Sequence, residues 1–137
     1  MRAPRALALL LLVASALAGC RRVGDGDVVG RYVLNAGQGR DVLDLRPDGT
    51  YLHRFTTRAG AVVVDSARWE LVRARGGWIR FAEFTDYYGH EIFPRQALVR
   101  RSWTMELEMG WGGGVRLLAD REAELRYVRQ ESASTGW

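Results

Sequence analysis

The chain has no lysine, one cysteine, two histidines and three prolines in 137 residues. A single thiol excludes an internal disulfide, and two imidazoles are too few for most zinc sites. All 20 basic residues are arginine, which is more simply a matter of codon composition than of chemistry. Those arginines are spread along the chain, and only Arg21-Arg22 and Arg100-Arg101 are adjacent. A nucleic-acid-binding surface needs a basic stripe on one face, so nucleic acid is set aside as a partner. No internal repeat or low-complexity stretch is present. What remains is an ordinary single-domain composition, 47% apolar and 26% charged, with a packed core expected.

The first twenty residues read as a separate segment. Arg2 and Arg5 precede Ala6 to Ala16, an apolar run of 11 residues without charge. A bilayer-spanning helix needs roughly 20 apolar residues, so this run is a signal-peptide core rather than a span. Its ending, Leu17-Ala18-Gly19-Cys20, resembles the lipobox of bacterial lipoproteins at every position. The resemblance implies cleavage before Cys20, lipidation of its thiol, and a mature chain anchored to a membrane without crossing it. In that family an Asp after the Cys favours retention at the inner membrane. Arg21 stands there instead, which implies the inner leaflet of the outer membrane, facing the periplasm, in the envelope of a diderm bacterium. Removing residues 1–19 leaves 18 arginines against 16 acidic residues, a formal charge of +2.

Residues 20–27 are expected to form the lipidated Cys and a polar tether. Gly24-Asp25-Gly26-Asp27 lacks the further oxygen ligands and the closing Glu of a calcium loop. From Val28 the dominant period is two, with turn residues between runs and no helical stripe. The runs are Val28 to Leu34, Asp41 to Arg46, Thr50 to Thr57, Ser66 to Arg73, Trp78 to Phe84, Ala97 to Met109, Val115 to Ala119 and Glu124 to Arg129. Pro47-Asp48-Gly49 joins the second and third as a three-residue hairpin loop, Pro setting the first backbone angle and Gly taking the left-handed one. In the fifth run Ile79 and Phe81 fall on one face and Trp78, Ala82 and Phe84 on the other, so both faces can be covered. The sixth is the cleanest alternation, but thirteen residues would span about 43 Å, which predicts a bend or bulge near Arg100-Arg101. The fold class is therefore all-β: an antiparallel up-and-down meander of 7–8 strands over residues 28–129, closed as a small barrel or folded as a sandwich. Residues 130–137 read as a flexible tail, and Thr85 to Pro94 as a loop.

Candidate chemistry is thin. His53 shares a strand face with Tyr51 and Phe55 and reads as a structural histidine. His90-Glu91 would need His53 and a carboxylate to converge before zinc could be held. No serine sits in a Gly-flanked elbow. Glu106 and Glu108 stand about 7 Å apart, near a glycosidase separation, but on the polar side of their strand. Gly110 to Gly114 has no helix behind it to make a phosphate cradle, and reads as a hairpin loop. Trp137 ends the chain on an aromatic, yet residues 132–136 lack the apolar belt of a membrane strand. No catalytic residue, metal or cofactor is expected.

The aromatics carry more. Tyr51, Trp69, Trp78, Phe81 and Trp103 either fill the core or line a cavity for one small ligand, since an eight-stranded barrel is just wide enough for either. Arg101, among apolar neighbours on its strand face, is the polar residue suited to anchor such a ligand. Tyr87, Tyr88, His90 and Trp111, in the two longer loops, are candidates for gripping a protein partner. Gly30-Arg31-Tyr32 resembles the Gly-x-Trp motif of the lipocalin first strand, with Tyr for Trp, and Thr85-Asp86-Tyr87 matches the lipocalin Thr-Asp-Tyr loop motif. That resemblance implies a ligand-carrying barrel in which Arg126 or Arg129 packs across the first-strand aromatic. The sequence thus points to a membrane-anchored, non-catalytic binding module, for a small apolar or amphipathic ligand or for a periplasmic protein such as an inhibitor, immunity or assembly partner.

Overall fold

A strand with alternating apolar residues buries one face, and a sheet of such strands can hide every edge only by closing on itself. A computed structural model describes residues 23–34, 40–73, 76–92, 98–111 and 113–131. Its eight strands are β1 (Gly30–Leu34), β2 (Arg40–Leu45), β3 (Thr50–Thr56), β4 (Val62–Val72), β5 (Trp78–Thr85), β6 (Arg100–Met109), β7 (Val115–Asp120) and β8 (Leu125–Arg129). They pair antiparallel in chain order, and β1 pairs with β8 to close the barrel. A closed barrel, not a sandwich, is the architecture. Two short helical segments accompany it, α1 (Asp25–Val28) and α2 (Tyr87–Ile92).

Three hairpins share one device. Gly49, Gly60 and Gly113 take φ of 79°, 84° and 84°, and their amides donate to the carbonyls of Arg46, Thr57 and Gly110 at 3.1, 2.9 and 3.0 Å. Those three residues in turn donate to Thr50, Ala61 and Gly114, closing three-residue loops. A side chain resists that left-handed backbone, so glycine sets the register of three of the seven connections.

Several boundaries differ from the sequence reading. β4 begins at Val62, four residues before Ser66, because Val62 to Val64 pair with β3 while staying exposed. That run has no alternation to reveal it. β6 starts at Arg100 rather than Ala97, and residues 93–97 lie outside the described residues. The irregularity expected near Arg100-Arg101 sits in the neighbour: Phe81 pairs with Trp103 but Phe84 with Arg101, so β5 carries one extra residue. The bulge reverses the alternation, and Phe84 joins Ile79 and Phe81 on the inner face. Trp78 keeps the outer face and is 37% exposed, so that strand is covered on one side only.

The two ends of the barrel differ. At the closed end the chain expected to be tether is structured from Val23 onward. Asp27 accepts from the Gly24 amide at 2.9 Å, α1 winds one turn, and Val28 is fully buried. Val23 and Val29 pack on the core, and the Tyr32 hydroxyl donates to the Val28 carbonyl at 2.7 Å. Arg129, register partner of Tyr32, donates to the carbonyls of Asp27 and Val29 at 2.8 and 2.5 Å. Arg129, not Arg126, therefore stands beside the first-strand aromatic; Arg126 pairs with Glu108 at 2.8 Å. The opposite end, the mouth, carries α2 and the turn 121–124. On the outer wall Arg31 pairs with Asp44 at 2.7 Å and Arg80 with Glu70 at 3.1 Å, across neighbouring strands. Cys20, the rest of residues 1–22, and residues 132–137 lie outside the described residues.

Candidate functional site

The interior is packed at the closed end and hollow at the mouth. Tyr32, Leu43, Tyr51, Ile79, Phe81, Met105 and Leu117 are fully buried, and Trp69 caps them with its indole N–H on the Arg46 carbonyl at 3.1 Å. Above this layer opens a cavity of about 220 Å³. Its apolar wall is Leu34 from β1, Phe84 from β5, Trp103 and Met105 from β6, and Leu125 and Tyr127 from β8. Asp86, Tyr88 and Gly89 around α2, with Ala119, Asp120 and Ala123 at the β7–β8 turn, form its rim. A dry cavity of about 150 Å³ accepts benzene, so this one suits a substituted ring or a short apolar chain.

Its polar groups are few. The Trp103 indole nitrogen is buried without a hydrogen-bond partner, unusual for a donor that costs about 1–3 kcal/mol when stranded. The Arg101 guanidinium stands 4.7 Å from the Trp103 ring centroid, a cation–π arrangement, while the rest of Arg101 is exposed. Asp86 accepts from the Gly89 amide at 2.8 Å and Asp120 from the Ala123 amide at 2.9 Å, so both rim carboxylates are held by the turns they cap. Asp86 lies so close that a Cβ on Gly89 would stand 2.1 Å from its Oδ2.

Beneath the wall is a buried polar cluster. Asp41 receives the Tyr127 hydroxyl on Oδ2 at 2.8 Å and meets His53 Nε2 at Oδ1 at 2.6 Å. His53 is fully buried, stacks on Phe84 at 4.6 Å between centroids, and lies 5.2 Å from Tyr87. Its Nδ1 has no partner. Burial pushes the Tyr127 phenol well above the usual range, and the negative charges of Asp41 and Asp86 push it further. A second cluster sits at the same end: Asp65 accepts from the Thr85 hydroxyl at 3.0 Å and pairs with Arg100 at 2.9 Å. His53 is thus held on its Asp41 side only.

The sequence-predicted residues divide. Trp103 lines the cavity; Tyr51 and Phe81 pack edge to face beneath it, 5.2 Å apart, with the Tyr51 hydroxyl on the Glu83 carbonyl. Trp69 belongs to the plug of the closed end, Trp78 faces outward, and Arg101 stands over the Trp103 ring without lining the cavity. Those three do not form one lining. The partner loops also part: Tyr88 lines the cavity and Tyr87 is buried against Phe55, at the mouth. Trp111 stands fully exposed on the β6–β7 hairpin at the closed end, so the two loops share no surface. His90 is in α2, and its side chain is outside the described residues. Phe84, Tyr127, Asp86 and Asp120 were missed as lining. Phe84 was hidden by the bulge and Asp86 by its place in a motif; only strand closure brings Tyr127 to β1.

Beside Trp111 an open groove of about 1450 Å³ runs past Arg31, Arg46 and Arg116. It is far larger than the mouth cavity but lies on the outer surface, where enclosure is slight. Among the described residues, no three His, Cys, Asp or Glu side chains gather to hold a metal ion. Comparison with protein-family models, with curated proteins and with solved structures finds no match to this chain.

Proposed function

We propose that this protein is a lipid-anchored, non-catalytic binding module of a bacterial envelope, and that it takes a small apolar or amphipathic molecule into the mouth of its barrel. One observation carries the ligand reading: a cavity of about 220 Å³ walled by aromatic and aliphatic side chains, with a buried, unpartnered indole N–H on Trp103. Few precisely placed polar groups in an apolar hollow are what a small-molecule site needs. The anchoring reading rests on Leu17 to Cys20. Cys20 is three residues from Val23, a reach of at most about 10 Å, so a lipid there would tether the closed end and leave the mouth facing away from the membrane. The ion-paired outer wall supports an anchor over a membrane-embedded barrel, which needs an apolar belt.

Native mass spectrometry of a form beginning at Arg21, exported and purified without detergent, tests the ligand reading. Extra mass that leaves on denaturation supports it, and a bare chain that also ignores added small amphiphiles sinks it. For the anchor, a mature N-terminus at Cys20 with acyl mass is expected, and Cys20→Ser moves the protein to the soluble fraction. The exposed Trp111 favours a second reading, in which the closed-end hairpin grips a protein partner.

A further inference from the structure

We infer that the mouth cavity selects a cationic ligand, a small organic ammonium with an apolar body, over neutral or anionic molecules of the same shape. This rests on the cavity being the binding site, and it concerns the charge of what enters.

Among the described residues, the charged groups lining the cavity are Asp86 and Asp120, both carboxylates. A third carboxylate, Asp41, accepts the hydroxyl of the lining residue Tyr127 on Oδ2 at 2.8 Å and meets His53 Nε2 on Oδ1 at 2.6 Å. Among the described arginines, Arg100 pairs with Asp65 and Glu83 at 2.9 and 3.3 Å, Arg121 pairs with Glu106, and the Arg101 guanidinium stands over the Trp103 ring at 4.7 Å without lining the cavity.

Aromatic faces add to the preference. Trp103, Tyr88, Phe84 and Tyr127 line the same hollow, and the negative face of an aromatic ring attracts an ammonium, most strongly where water is excluded. One face of Trp103 already holds the Arg101 guanidinium, which leaves the other rings for a ligand cation. The Trp103 N–H, buried without a partner, would donate to an acceptor on the ligand. An anionic chain such as a fatty acid would meet two carboxylates at the rim with no lining arginine among the described residues to offset them. A carrier for that class would place its charges the other way round.

The test uses three probes of nearly one shape, phenethylammonium, phenethyl alcohol and phenylacetate, titrated into the whole chain as its host processes it, by calorimetry and tryptophan fluorescence. Phenethylammonium is expected to bind about tenfold or more tightly than the alcohol, and phenylacetate more weakly than either. Asp86→Asn and Asp120→Asn keep the oxygen that caps each turn and remove the charge. Each is expected to lower ammonium affinity severalfold relative to the alcohol measured on the same variant, and the pair to bring the two affinities together. If the alcohol binds and the ammonium gains nothing over it, or phenylacetate binds best, the charge inference is overturned while the cavity reading stands. If none of the three binds, both fall.

Discussion

Tyr127 and Asp41 meet inside the barrel, hydroxyl to Oδ2 at 2.8 Å, although 86 residues separate them in the chain. The contact ties the last strand to the second across β1, the seam at which the barrel closes. His53 shares the same carboxylate. Tyr127→Phe removes one donor and keeps the ring, and it is expected to lower the unfolding free energy by about 1–3 kcal/mol. Asp41→Ala strands both donors and is expected to cost about 2–5 kcal/mol. Urea unfolding compares the two; equal and negligible losses would mean that the cluster does not hold the seam.

Alkaline pH should unfold this protein in a defined window. Burial pushes the Tyr32 phenol up to about 12, partly countered by Arg129, and Tyr51 and Tyr127 are also raised chiefly by burial. A phenol in the unfolded chain ionises near its reference value of about 10. Between about pH 10 and 12 the unfolded state therefore holds fewer protons than the folded one, and stability falls as pH rises. Circular dichroism and phenolate absorbance, followed together, are expected to change in one step there. Gradual ionisation at constant ellipticity would show that the phenols ionise without unfolding.

Gly30 opens β1 at a φ of 152°, where an added Cβ would stand 2.8 Å from the Arg129 Nε. Gly30→Ala must strain the backbone and displace the guanidinium from the Asp27 and Val29 carbonyls. A cost of about 1–3 kcal/mol is expected. For a domain near 100 residues, each kcal/mol lowers the melting midpoint by roughly 4–8 °C. A thermal melt at wild-type temperature would mean that α1 and Arg129 contribute little to closing that end.

Trp111 makes the converse case. It is fully exposed, so Trp111→Ser is expected to change the unfolding free energy by less than about 0.5 kcal/mol. The same substitution should lower the fluorescence that acrylamide quenches readily, to which the outward-facing Trp78 also contributes, while Trp69 is buried and Trp103 half-buried. A large loss of stability would place that indole against the barrel.

Much of the fold was legible because its signals are local. Alternation marked all eight strands, and Pro47-Asp48-Gly49 marked its hairpin, with Asp48 accepting from the Thr50 amide and hydroxyl at 2.9 and 2.6 Å. Val62 to Val64 escaped because a strand exposed on both faces has no period. The candidate site was legible only in its aromatic content. Trp103 lies on an inner face and lines the cavity, whereas Trp69 and Trp78, just as conspicuous in the sequence, do not.

The sequence by itself determined an antiparallel meander of seven or eight strands, the same-face sets on strands such as β3 and β6, and the hairpin loops at Pro47-Asp48-Gly49 and Gly110 to Gly114, because backbone sterics and side-chain period act within a few residues. Only the tertiary structure decided that the sheet closes as a barrel, that one end is plugged and the other hollow, and that Phe84 turns inward past a bulge. Each depends on register between strands and on pairings such as Asp41 with Tyr127. Those free energies belong to no single segment, so they exist only once the chain has closed.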